Sequence, residues 1–80
     1  MKKPKVGQSV DVWWDDPAMA GGWWDQPERM EPAHCRTRAF VAAITKEHLV
    51  VSHTQAHDGS WMGVAAIPWG VVRKIVVRKR

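Results

Sequence analysis

The sequence predicts an all-β chain, five short strands closed into one small barrel. Three observations carry this. Apolar and polar residues alternate over short spans, as in Ser9-Val10-Asp11-Val12 and Lys74-Ile75-Val76-Val77-Arg78, the period-two signature of half-buried strands. Turn-forming residues interrupt these spans at short intervals, and no segment joins helical spacing to a good cap. Its 80 residues make one domain, 1–80, near the smallest size at which a single core outweighs chain entropy.

The first strand is read in Val6–Trp13, alternating from Ser9 onward, with Val10 and Val12 facing one way and Ser9 and Asp11 the other; Asp15-Asp16-Pro17 stops it. A long connection follows, to about His34, broken by Pro17, Gly21-Gly22, Pro27 and Pro32. Four of the six tryptophans lie at or in it, as an echo: Trp13-Trp14-Asp15-Asp16-Pro17 and Trp23-Trp24-Asp25-Gln26-Pro27. Two copies ten residues apart are too few and too short for a solenoid. Two antiparallel legs folding back at Gly21-Gly22, Trp against Trp, would account for them.

The second strand is expected from Arg36 to about Thr45, with Phe40, Ala42 and Ile44 on one face. The alanines make a helix its rival, but the run is short, poorly capped and flanked by β-branched Thr37 and Thr45. Lys46-Glu47 turns into Leu49-Val50-Val51-Ser52-His53-Thr54, the clearest strand. Asp58-Gly59 signals a tight hairpin into Trp61–Ile67, which Pro68 closes. Pro68-Trp69-Gly70 has room for one helical turn before the last strand, Val71–Arg78. In the fourth strand, periodicity leaves open whether Trp61, Gly63, Ala65 and Ile67 or Met62, Val64 and Ala66 face the core.

Charge is unevenly spread around a net +4. Lys2, Lys3, Lys5, Arg73, Lys74, Arg78, Lys79 and Arg80 make the ends basic, and residues 1–5 and 78–80 are expected to be flexible. Asp15, Asp16, Asp25, Glu28 and Glu31, against Arg29 alone, make the tryptophan-rich connection acidic. Cys35 is the only cysteine, which rules out an internal disulfide and suits a reducing cytoplasm. The basic start is not followed by an apolar stretch, and Trp61–Val72, with Pro68 and two glycines, falls short of the ~20 residues of a membrane helix. The chain reads as soluble, unexported and free of membrane contact.

This layout resembles an SH3-like barrel: a first strand, a long loop, three strands joined by tight turns, one helical turn, and a last strand beside the first. Ala65-Ala66-Ile67-Pro68-Trp69-Gly70-Val71-Val72 resembles that family's strand–proline–turn–valine segment. The likeness implies that Ile67 and Val72 face the core and that Pro68 lies at the surface. The sequence departs from peptide-binding SH3 domains where a tryptophan pair should open the third strand; Lys46-Glu47-His48-Leu49 stands there instead, so polyproline recognition does not carry over. The pattern from Val10-Asp11-Val12-Trp13 to Ile67-Pro68 is also similar to small uncharacterised phage and prophage proteins.

Two groups are candidates for binding. Trp13, Trp14, Trp23 and Trp24, if exposed together, would exceed the apolar patch a monomer usually shows. Neighbours on a strand point to opposite faces, so one member of each pair is expected to pack and the other to face water. With Asp15, Asp16 and Asp25 they would form an acidic aromatic surface for a protein partner or a second copy, through cation–π contact. In the alternative, first and last strands lie side by side, and the basic ends converge to hold nucleic acid, with Trp61 or Trp69 stacking on bases. Against it stands the ordinary role of charged ends as solvated tails.

No enzyme is expected: there is no glycine-rich phosphate loop, and Asp15 beside Asp16 lacks an enclosing pocket. Cys35, near Arg36 and Arg38, has no base placed beside it by the sequence. His34, Cys35, His48, His53 and His57 lack zinc-ligand spacing, so neither metal nor cofactor is expected.

Overall fold

The computed structural model describes residues 3–16, 23 and 25–79 and is all-β. Its strands are β1 (Ser9–Asp16), β2 (Ala33–Ile44), β3 (His48–Gln55), β4 (Trp61–Pro68) and β5 (Val72–Val77), with 3₁₀ turns at Pro27–Arg29 and Trp69–Val71. All neighbouring strands run antiparallel, in the order β4-β3-β2-β1-β5. First and last strands lie side by side, as the SH3-like resemblance implies, and a single helical turn precedes the last, as Pro68-Trp69-Gly70 suggests.

The sheet is open, whereas the sequence suggested a closed barrel: among the described residues no ladder joins β4 to β5. The Trp69–Val71 turn carries the chain from one edge of the sheet to the other, where β5 takes its hydrogen bonds from β1 alone. The sheet nevertheless curls. Val10, Val12, Ala39, Val41, Leu49, Val51, Ile67 and Ile75, drawn from all five strands, form one buried cluster. Laid flat, five strands at ~4.8 Å spacing would hold the edge residues Ile67 and Ile75 nearly 20 Å apart.

Local chemistry fixes the connections. Lys46-Glu47 is bracketed by Thr45, whose N–H donates to the His48 carbonyl at 2.9 Å and whose Oγ1 accepts from the His48 N–H at 2.9 Å. The β3–β4 hairpin turns at Gly59, in the left-handed region at φ 90°, while Asp58 Oδ1 accepts from the Ser60 N–H and hydroxyl at 2.9 and 2.6 Å. Trp69 ties the 3₁₀ turn to the β2–β3 hairpin: its backbone N–H donates to Glu47 O at 3.1 Å and its indole to Thr45 O at 2.9 Å.

Side-chain parity answers the question left open in β4: Ile67 is buried while Met62 and Val64 face outward. Pro68 is exposed, and Val72 packs half-buried against the core. In β2 the core residues are Ala39 and Val41, and Phe40 faces outward. A bulge between Val41 and Ala43 breaks the alternation that would align Phe40, Ala42 and Ile44. β2 also begins earlier than its β-branched residues suggest, because Ala33, His34 and Cys35 pair with Asp16, Asp15 and Trp14. Only Phe40–Ile44 pairs onward to β3, so the β1–β2 and β3–β4 ribbons diverge beyond Phe40 and Ser52.

Candidate functional site

The site is the outer face of β2-β1-β5, and strand alternation builds it. Val10, Val12 and Trp14 point to the core, so Asp11, Trp13 and Asp15 form a row on the opposite face. Their cross-strand partners in β2 are Arg38, Arg36 and His34. On the other flank Val76 lies opposite Asp11 and Lys74 opposite Trp13. A bulge between Trp13 and Trp14 shifts the β1–β5 register, and Arg73 reaches the same side as Lys74. A central row of acid, indole and acid is thus flanked by two rows of cations.

Each central residue is saturated by its flanks. Asp11, buried at 6% exposure, receives Arg38 Nε at 3.1 Å on Oδ1, and Arg36 Nη2 at 3.4 Å and Arg78 Nε at 3.9 Å on Oδ2. Its burial alone would raise the carboxyl pKa; hydrogen bonding and charge from Arg38 and Arg36 outweigh that and hold it below the ordinary value of 3.8. The Trp13 ring has the Arg36 guanidinium and the Lys74 ammonium each 5.1 Å from its centroid, both cation–π contacts. Asp15 accepts from Arg73 Nη1 at 3.1 Å on Oδ2 and lies 2.8 Å from His34 Nδ1 through Oδ1. The guanidiniums remain largely exposed, so this face carries Arg36, Arg38, Arg73, Lys74 and Arg78 against two neutralised carboxylates.

At one end of this face is a cleft of about 380 Å³ lined by Trp13, Trp14, Asp15, His34, Cys35, Arg36 and Arg73. The Trp14 indole packs against the core and donates from Nε1 to Thr37 Oγ1 at 2.9 Å, which fixes its plane.

The tryptophan pairs divide. Trp13 and Trp14 lie inside β1, one on each face, and both are half-buried. Their strand partners are Arg36, Lys74, Cys35 and Val72, which corrects the idea of indoles paired across a folded-back loop: β1 has its two neighbours already in β2 and β5. Trp23 is fully exposed at 102%, Asp16 and Asp25 are exposed, and Trp24 lies outside the described residues. Asp15 belongs to the cationic face through its partners, so chain order alone misassigns its surroundings. Of the basic ends, Lys3, Lys5, Arg73, Lys74, Arg78 and Lys79 are exposed; Lys2 and Arg80 lie outside the described residues. The Arg78 N–H donates to Ser9 O at 2.8 Å, so the chain after β5 runs beside the start of β1.

Asp11, His34, Arg36 and Arg38 as members of the site were missed from the sequence. The available signal was the double alternation Asp11-x-Trp13-x-Asp15 and His34-x-Arg36-x-Arg38, two polar period-two rows that antiparallel pairing lays side by side. Trp69, the other stacking residue considered, is half-buried and donates its indole N–H to Thr45 O.

No protein-family model, curated protein or solved structure matches the chain.

Proposed function

We propose that this protein is a non-enzymatic nucleic-acid-binding module of SH3-like build, which holds the phosphate backbone on the outer face of β2-β1-β5. The observation that carries this reading is the pair of cation rows flanking Trp13: Arg36 and Arg38 on one side, Arg73, Lys74 and Arg78 on the other, with Asp11 and Asp15 neutralised between them. Several guanidiniums fixed on a rigid sheet form a preorganised anion site, and Lys5 and Lys79 are exposed as well. The strand order, with a 3₁₀ turn before the last strand, supports the SH3-like build.

The test is anisotropy titration of a labelled single-stranded oligonucleotide. Binding is expected at 50 mM salt and should fall steeply by 200 mM, with a logarithmic slope of several, since each phosphate contact contributes about 0.7. Absence of binding at 50 mM salt rejects the proposal.

A second reading is favoured by Trp23 alone. A fully exposed indole two positions before the exposed Asp25 suits contact with a basic protein surface or a second copy of the chain. Trp23→Ala should then abolish any concentration-dependent increase in sedimentation coefficient while leaving the melting temperature unchanged. A wild-type chain that sediments identically at all concentrations removes self-association.

A further inference from the structure

We propose that the cleft beside Trp14 seats an unpaired nucleobase, which makes the protein selective for single-stranded over duplex nucleic acid. This rests on the nucleic-acid reading of the same face. The cleft's volume of about 380 Å³ lies in the range of small-ligand sites. Its lining brings Trp13 and Trp14 together with Arg36 and Arg73; the Trp13 ring already carries Arg36 and Lys74, which leaves Trp14 as the stacking surface. Indole and guanidinium planes are the surfaces on which a nucleobase stacks, and a guanidinium also takes the phosphate next to it.

The lining is already ordered. Trp14 is held by the core on one side and by Thr37 Oγ1 through its indole N–H, so binding does not have to immobilise it. Arg36 is held over Trp13 and against Asp11. The one carboxylate in the lining, Asp15, has both oxygens engaged, by His34 and Arg73, and does not confront a phosphate as a free anion. These contacts offer planes and charge more than edge-specific donors, so the expected ligand is a single strand with little base preference. In a duplex the bases are paired and stacked on one another, and only the cation rows remain usable.

Three labelled probes of equal phosphate count distinguish the possibilities with the full chain at 50 mM salt: an oligothymidylate, an abasic deoxyribose-phosphate strand and a duplex. Oligothymidylate should bind about 5- to 150-fold more tightly than the abasic strand, the gain from one stacked base, and more tightly than the duplex. Affinity for oligothymidylate no higher than for the abasic strand, or no higher than for the duplex, overturns the inference and leaves the polyanion reading standing. Failure to bind any probe overturns both. Location is tested without a variant, by photo-crosslinking an iodouracil-bearing strand and mapping the adduct. Adducts at Trp13 or Trp14 are expected, and adducts confined to Trp23, Trp61 or Trp69 refute the cleft as the seat.

Discussion

The two faces of β1 share one backbone and are put to opposite uses. Inward, Val10 and Val12 are fully buried and Trp14 packs against them. Outward, at alternate positions, Asp11, Trp13 and Asp15 gather guanidiniums, an ammonium and an imidazole. The inner face is held by apolar burial, which is cooperative and tolerates no gap; the outer face, Asp11 apart, is held by exposed ion pairs, each worth little to stability. A strand between two partners can therefore stabilise the fold on one side while the other is free to bind.

The strongest way to break this contrast is from inside. Leu49→Ala empties a fully buried position and should cost about 2–5 kcal/mol, a large share of what an 80-residue domain possesses, read as a collapse of the urea midpoint. The matching outer change, Arg73→Ala with Lys74→Ala, spares the partners of buried Asp11 and should leave the midpoint nearly unmoved. It should weaken single-strand binding at 50 mM salt and flatten the salt slope by about 1.4. An outer pair that unfolds the protein would dissolve the distinction between the faces.

Asp11 sharpens the comparison because it is an outer-face residue that is buried. Its pKa is depressed in the folded state, so its ionised form adds stability that is fully present above the ordinary value of 3.8 and is lost as pH falls through the lower, folded value. Melting temperature should drop more steeply in the wild type than in Asp11→Asn as pH is lowered from 5 to 2. Parallel curves would show that Arg38 and Arg36 do not hold this carboxylate. The smallest effect is expected at a turn remote from both faces. Gly59→Ala forces a side chain into φ 90° with open space around it, costing about 1–2 kcal/mol with binding unchanged.

Much of the fold was legible, for identifiable reasons. Alternation located β5 and the body of β1, Asp58-Gly59 located the β3–β4 turn, and Pro68-Trp69-Gly70 located the 3₁₀ turn, because each depends on residues close in sequence; Asp15 and Asp16, expected to stop β1, instead belong to it through their pairing with His34 and Ala33. The early start of β2 at Ala33 was not legible, since residues Ala33–Cys35 are strand only through pairing with Trp14–Asp16. The outward position of Phe40 likewise follows from its place opposite Ser9 and from the bulge beyond it. The candidate site was half legible. Its tryptophan and its β5 cations stood out, whereas the acidic look of Trp13-Trp14-Asp15-Asp16 concealed the cations that the neighbouring strands bring.

The sequence by itself determined that this chain forms short antiparallel strands, where most of them turn, and which valines and isoleucines are available for a core. Those properties come from dihedral preference and local hydrophobic period. Only the tertiary structure decided that the sheet curls without closing, and that Asp11, Trp13 and Asp15 lie between Arg36, Arg38, Arg73, Lys74 and Arg78. Charge acts through space, over a few ångströms, and those few ångströms separate residues more than twenty positions apart along the chain.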